Sequence, residues 1–192
     1  MNAPSPFPPV PGPLAHLAGL APPALLAPVL GRILRETLRR RPEPFARLGA
    51  HAAKTFLIDP TDLPLAFVLR PDPAAPSIAP LRRRVGSGAA VDCMAVDWDG
   101  RVAGPLSALL GLVHGTVDGD ALFFSRDIAM EGDTAAIVAL RNAIDDAELD
   151  LLSLAAEAFG DPGRLAGRLA RPLAAGIARA TGVALLRPGD PV

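Results

Sequence analysis

This 192-residue chain lacks several features that mark common classes of protein. It has no tyrosine and only 4% aromatic residues, and its net charge of −1 gives no reason to expect nucleic-acid binding. Its one cysteine, Cys93, excludes an intramolecular disulfide and is typical of a reducing compartment. No run approaches the roughly 20 apolar residues of a membrane-spanning helix. We therefore expect a soluble, cytoplasmic protein.

The sequence also lacks the motifs that catalysis usually requires. The three histidines are far apart and have no metal-ligand spacing, and there is no phosphate-binding loop or dinucleotide fingerprint. The Gly-Ser-Gly of residues 86–88 has no nucleophile-elbow spacing, and Asp97-x-Asp99-Gly100 lacks the remaining ligands of a calcium loop. We therefore expect a binding protein rather than an enzyme, with no metal and no cofactor.

Proline and aliphatic residues are abundant instead. Residues 1–23 hold many of the 22 prolines, which predicts a flexible arm without regular helix. Residues 25–41 form an amphipathic pattern that predicts a helix, and residues 44–53 predict a second, shorter one. The apolar side of the first helix is expected to consist of Leu26, Leu30, Ile33, Leu34 and Leu38.

The centre of the chain is predicted to be rich in β-structure. Turns are expected at Asp59-Pro60, at residues 71–73 and at Asp99-Gly100, and a helix is expected to begin at Gly104-Pro105. The strand candidates are residues 55–58, 65–69, 78–83 and 91–97.

A strand, a turn and a helix are predicted in succession near residue 130. Residues 126–131 alternate in polarity as a half-buried strand does, and Gly132 can adopt the positive φ of a tight turn. Asp133 or Thr134 can cap the helix that follows, whose apolar residues recur at three- and four-residue steps as far as Ala147. These three elements form one packing unit.

This region also resembles a known family. Residues 122–134, Leu-Phe-Phe-Ser-Arg-Asp-Ile-Ala-Met-Glu-Gly-Asp-Thr, resemble the sterol carrier protein type of lipid-binding domain, in which a Phe-Phe pair precedes a strand, a Gly turn and a helix. The Phe-Phe-x-Arg and Glu-Gly-Asp-Thr sequences, with Asn-x-Ile-Asp-x-x-Glu-Leu at residues 142–149, look more like one branch. That branch contains ubiquinone biosynthesis accessory factors of the UbiT type, which act in oxygen-independent quinone synthesis. The resemblance extends over residues 45–149.

The resemblance implies an α+β fold with a mixed, mainly antiparallel sheet of about five strands, covered by helices that enclose an apolar tunnel. It implies a non-catalytic accessory factor that binds prenylated ubiquinone precursors and presents them to iron–sulfur ring hydroxylases. We expect residues 1–23 to be the arm, residues 24–149 the lipid-binding domain and residues 150–192 a helical C-terminal extension.

Periodicity and the resemblance together predict which apolar residues line the tunnel. The main set is Leu122, Phe123, Phe124, Ile128, Met130, Ile137, Leu140 and Ile144. A further wall is expected from Leu106, Leu109, Leu110 and Val113. The alternative is that these side chains simply fill a core.

The C-terminal extension has a basic face beside a leucine-rich one. On a helical projection the arginines fall within about 80°, a pattern typical of a helix lying on an anionic membrane. The alternative is a helix packed on the domain with its arginines in water. The predicted membrane-surface residues are Arg164, Arg168, Arg171 and Arg179.

Other functions remain open at this stage. The chain could be a general carrier of phospholipids or fatty acids at the inner-membrane surface, or an accessory domain of an enzyme complex such as an acyltransferase. It could also be an adaptor with a filled core and no ligand.

Overall fold

The computed structural model describes residues 7–83, 96–113 and 127–147, together with Leu154, Phe159 and Pro172. The helices are α1 (Gly12–Leu20), α2 (Pro23–Arg40), α3 (Pro42–Ala46), a 3₁₀ helix (Gly49–Ala53), α4 (Leu106–Val113) and α5 (Thr134–Ala147). The strands are β1 (Phe56–Pro60), β2 (Leu65–Arg70), β3 (Ser77–Arg82), β4 (Gly100–Gly104) and β5 (Ala129–Gly132).

The five strands form one sheet in the order β3-β2-β1-β4-β5. Strands β1 and β4 are parallel, and the other neighbouring pairs are antiparallel. This arrangement confirms the predicted α+β class with a mixed, mainly antiparallel sheet of five strands.

The two faces of the sheet have different neighbours, because successive side chains of a strand point to opposite sides. In β1, Phe56 and Ile58 face the helices, and Phe56 is wholly buried in the main core with Ile137 and Leu140 of α5. Leu57 points to the opposite face, where it forms a smaller buried cluster with Ala66 of β2. The helical layer therefore covers one face of the sheet, as the resemblance implied.

The N-terminal region contains a helix that was not predicted. The expectation that residues 1–23 hold no regular helix was wrong, because α1 occupies Gly12–Leu20. Its prolines lie where a helix tolerates them: Pro11 precedes the helix and Pro13 is in its first turn, where the missing N–H has no intrahelical partner to lose. Pro23 likewise begins α2.

Hydrogen bonds join the segment before α1 to the start of α4. The Asp62 carboxylate accepts hydrogen bonds from the backbone N–H of Val10 (2.9 Å) and of Leu106 (2.8 Å). The Ser107 hydroxyl donates to the carbonyl oxygen of Pro8 (2.9 Å). This segment is thus anchored to the rest of the fold, whereas the proposed domain boundaries remain predictions.

Strand β4 begins at Gly100, where a turn was predicted. The helix predicted to begin at Gly104-Pro105 is observed as α4, whose first hydrogen bonds are accepted by the carbonyl oxygen of Pro105. Residues 91–95 of the strand candidate lie outside the described residues, and the observed strand begins at Gly100. Both of its terminal glycines are needed for close packing. An added Cβ would lie 2.8 Å from Ile137 at Gly100 and 2.7 Å from the carbonyl oxygen of Asp127 at Gly104. Glycine here reflects tertiary contact rather than a turn.

The turn between β5 and α5 has the predicted form. Gly132 has a φ of 84°, and the Asp133 carboxylate accepts a hydrogen bond from the N–H of Ala136 (3.0 Å), which caps the helix. Lys54 forms an ion pair with the same carboxylate. The pKa of the Asp133 carboxylate is lowered mainly by the hydrogen bond from Lys54 and next by the one from the N–H of Ala136.

Candidate functional site

An apolar cavity of about 240 Å³ lies between the sheet and the helical layer. Among the described residues that line it, two have polar side chains, Thr37 and Arg141. The others are Leu30, Ile33, Leu34, Phe45, Ile58, Leu69, Pro71, Ile78, Val102, Leu109, Leu112, Val113, Met130, Ile137, Leu140, Ile144 and Leu154.

The strand register builds the floor of this cavity. Ile58 of β1 is paired with Val102 of β4, and Val102 is paired with Met130 of β5, so one row of apolar side chains crosses three strands. A second row comes from the pair formed by Leu69 of β2 and Ile78 of β3. All five face the same side, because directly paired residues in a sheet project together.

Helices provide the walls through residues spaced three and four apart. On α5 these are Ile137, Leu140 and Ile144, which lie above one another on one helix face. The wall from α2 is formed by Leu30, Ile33, Leu34 and Thr37, and the wall from α4 by Leu109, Leu112 and Val113.

The size and lining of the cavity suit a hydrocarbon group. An engineered apolar cavity of about 150 Å³ is known to stay dry and to bind benzene. The cavity here is larger, at about 240 Å³, and offers almost no hydrogen-bond partner to water. It can therefore take a ring or a branched chain of comparable volume.

Six of the residues predicted to line a tunnel do line this cavity: Leu109, Val113, Met130, Ile137, Leu140 and Ile144. Leu106, Leu110 and Ile128 are not among the lining residues. Leu106 and Leu110 are half-buried, whereas Ile128 is buried in the main core and packs close to Gly104. Leu122, Phe123 and Phe124, and the four arginines Arg164, Arg168, Arg171 and Arg179, lie outside the described residues.

The sequence interpretation missed most of the wall from α2 and most of the floor. Leu30, Ile33 and Leu34 were recognised as the apolar side of a helix, but nothing local connected that helix with the distant Leu140. The short apolar runs of β1 and β2 were the available signal for the floor. It does not say which of the two sheet faces encloses a cavity.

Charged residues cluster on the opposite face of the sheet. Asp59 is wholly buried there and is paired with Arg83 and with Arg101, whose Nη2 lies 2.6 Å from the carboxylate. Arg101 also contacts Glu131 (2.7 Å). Burial lowers the pKa of Arg101, but hydrogen bonds to Asp59 and Glu131 outweigh this effect and raise it. The cluster joins β1, β4 and β5 and lies away from the cavity.

Within the described ranges, no group of three or more histidine, cysteine or acidic residues is arranged to hold a metal ion. In the same part of the chain, no single helix has both the length and the apolar character to cross a membrane. The bent pair α1 and α2, which meet at 93°, does have the required combined length and composition.

Comparison with known proteins gives one family match. The model of the SCP-2 sterol transfer family matches residues 33–145, which is more than half of the chain. No curated protein sequence matches significantly.

Several solved structures are similar to the chain. One is titled a UbiJ-SCP2 ubiquinone synthesis protein (18% identity, TM-score 0.49, covering 65% of this chain and 93% of that one). Another is apo sterol carrier protein 2 from Yarrowia lipolytica (12% identity, TM-score 0.43, covering 62% of this chain and 89% of that one). A third is sterol carrier protein domain 2 of Helicoverpa armigera (14% identity, TM-score 0.41, covering 62% of this chain and 85% of that one).

Proposed function

Because the chain belongs to the SCP-2 sterol transfer family, we propose that its cavity holds the hydrocarbon part of a lipid. In its specific form, the proposal is a non-catalytic accessory factor that binds prenylated ubiquinone precursors and presents them for oxygen-independent ubiquinone synthesis. The observation that carries the lipid-binding part is the cavity itself, which has apolar side chains on its floor and on its helical walls.

The energetics suit a carrier that must also release its ligand. By comparison with benzene in about 150 Å³, a cavity of about 240 Å³ holds about ten hydrocarbon carbons. Burying them stabilises the complex by roughly 8 kcal/mol relative to water, at about 0.8 kcal/mol per carbon. A bilayer offers nearly the same stabilisation, so exchange between membrane and protein is close to balanced. A longer prenyl tail would extend beyond this cavity.

Support for a quinone precursor comes from the sequence. The Phe-Phe-x-Arg, Glu-Gly-Asp-Thr and Asn-x-Ile-Asp-x-x-Glu-Leu sequences within residues 122–149 resemble the ubiquinone accessory branch. In this proposal the polar ring is presented to partner enzymes, the iron–sulfur ring hydroxylases, which supply the redox chemistry. The cavity lining alone also suits a general phospholipid or fatty-acid carrier.

Contact with a membrane surface is supported by residues 17–29, which we call the elbow. Leu17, Leu20 and Leu25 there are 62%, 65% and 66% exposed. No Asp, Glu, Lys or Arg occurs in residues 2–31, whereas exposed Arg32 and Arg35 follow directly. Apolar side chains beside cations favour an anionic lipid surface. We propose that this elbow places the protein at the cytoplasmic face of the inner membrane, with cavity residue Leu30 adjacent to it.

The test is mass spectrometry of lipids extracted from the full-length protein, purified after expression in a quinone-making host. Prenylated phenols or quinone precursors in near-stoichiometric amounts would support the specific proposal. Mixed phospholipids or fatty acids would support the general carrier instead. Protein that is folded but free of lipid would contradict both and favour an adaptor with a filled core.

A further inference from the structure

Part of the cavity wall comes from a residue beyond the matched family region. Leu154 lines the cavity and belongs to the main core, with only 8% of its surface exposed. The SCP-2 family match ends at residue 145, and among the described lining residues Leu154 is the one that follows it in the chain. The other lining residues lie within positions 30–144. The capacity of the cavity therefore depends on a residue of the chain that follows α5.

Two contacts with α2 lie on either side of Leu154 in the chain. The guanidinium group of Arg41, directly after α2, donates a hydrogen bond to the carbonyl oxygen of Ala147 at the end of α5. Within α2, the guanidinium group of Arg32 lies 5.2 Å from the centre of the Phe159 ring, a distance typical of a cation–π contact. Leu154 thus lies between two points that are tied to α2, and α2 lines the same cavity.

The contact between Phe159 and Arg32 is weak enough to be reversible. Phe159 is 36% exposed, so burial alone fixes its ring only in part. A cation–π contact at an exposed site changes an equilibrium constant by a factor of about two to five. Such a contact can keep the neighbouring chain in place, and it can also break at little cost when a ligand enters or leaves.

We infer that Leu154 limits the length of the hydrocarbon chain that the cavity accepts, and that Phe159, held by Arg32, is a positioning residue that keeps Leu154 in the wall. This inference rests on the proposed function, because it requires an apolar chain in the cavity. The Leu154 side chain occupies space that a chain longer than about ten carbons would need. A smaller side chain at this position extends the cavity, whereas loss of the Phe159 contact speeds ligand exchange and leaves the capacity unchanged.

The test compares decan-1-ol with dodecan-1-ol, two neutral probes that differ only in chain length. Their dissociation constants are measured by displacement of a neutral apolar dye from the full-length protein. The wild type should bind both within about threefold, because the additional methylene groups remain outside the cavity. L154A should raise the preference for dodecan-1-ol at least fivefold relative to wild type, since each newly buried methylene group contributes about fourfold. L154V, a smaller truncation, should shift the preference in the same direction by less.

The matched control is L110A, which makes the same change at a half-buried residue of α4 that does not line the cavity; it should leave the preference unchanged. Circular dichroism and thermal melting establish that each variant is folded. An unchanged preference in folded L154A and L154V would overturn the role of Leu154 and leave the proposed function intact. An equal loss of both probes would do the same. Failure of both probes to bind the wild type would overturn the inference and the proposed function together.

The role of Phe159 is tested by the rate at which the protein releases the dye, measured by stopped-flow fluorescence. F159A should release the dye about two- to fivefold faster than wild type and keep the wild-type preference between the two alcohols. R32M should behave in the same way. The double variant R32M/F159A should release the dye no faster than F159A, because both substitutions remove one contact. Wild-type release rates in both single variants, or additive effects in the double variant, would show that this contact does not hold Leu154.

Discussion

At the scale of single residues, the main constraints are steric and lie where β5 meets α5. Gly132 has a φ of 84°, a conformation that residues with a side chain rarely adopt. A Cβ at this position would also collide with the backbone carbonyl oxygen of Asp99 and approach the Trp98 ring to 2.9 Å. The turn therefore holds the capped start of α5 against the loop before β4.

Gly132 provides a stability prediction. G132A should lower the free energy of unfolding by about 2 kcal/mol or more, since it combines backbone strain with a collision. Urea denaturation measures the effect. The matched control is G12A, where an added Cβ has no atom within 4 Å, and it should be neutral within about 0.5 kcal/mol. Equal stability of G132A and wild type would contradict the steric account.

Residue identity alone did not reveal the charge cluster on the opposite face of the sheet. Asp59 is separated from Arg83 by 24 residues and from Arg101 by 42. A buried carboxylate needs such partners because leaving it unpaired would cost several kcal/mol. The pairing thus depends on the neighbouring positions of β1 and β4 in the sheet.

At the scale of elements, α5 has one face toward the cavity and another toward solvent. Ile144 lines the cavity, whereas Val138 is exposed on the outside of the same helix. A matched pair of substitutions can therefore separate cavity volume from general effects on α5.

I144F should reduce the amount of lipid that copurifies with the protein by severalfold, because the larger ring occupies cavity space. V138F introduces the same side chain on the outer face and should leave the lipid content unchanged. Quantitative mass spectrometry of extracted lipids, normalised to protein, measures both. If I144F were folded and carried as much lipid as wild type, this cavity would not be the lipid site.

The elbow between α1 and α2 provides a second prediction at this scale. The L20D/L25D double variant should bind phosphatidylglycerol-containing vesicles at least tenfold more weakly in sedimentation assays. The reason is that each leucine side chain that enters the bilayer contributes about 2 kcal/mol to binding. Added salt should weaken wild-type binding, because Arg32 and Arg35 contribute electrostatically.

The control for the elbow is V138D, which places a carboxylate at an exposed position of α5, away from the elbow. It should retain vesicle binding. Equal binding of L20D/L25D and wild type would show that the elbow does not contact the membrane.

At the scale of the whole molecule, carboxylates with lowered pKa make stability dependent on pH. Hydrogen bonds from Arg39 and Arg40 lower the pKa of Glu36 from 4.5 to about 2, and Lys54 lowers that of Asp133. The unfolded chain therefore binds more protons than the folded one between these values, and acid favours unfolding.

We expect the melting temperature to fall as the pH decreases from about 4.5 to 2, and this contribution to be constant above about pH 5. E36Q removes one of the titrating groups and should flatten the fall. Thermal melts monitored by circular dichroism at several pH values measure both slopes. A wild-type slope that E36Q leaves unchanged would contradict the role assigned to Glu36.

The sequence by itself determined the class of fold and the elements with strong local signals. Short strand-like stretches bounded by turn residues placed β1, β2 and β3 within a few residues of their observed positions, and the Gly132 turn with the Asp133 cap predicted the start of α5. These features could be predicted because periodicity, glycine conformation and capping act over only a few residues.

Only the tertiary structure decided the remaining features. Gly100 suggested a turn, whereas the close approach of Ile137 shows why glycine is needed there at the start of β4. The prolines around α1 suggested an arm without helix, yet they occupy positions that a helix accepts. The cavity has walls from α2, α4 and α5, which lie far apart in the chain. No local pattern specifies which helices enclose a cavity, because that depends on long-range packing against one face of the sheet.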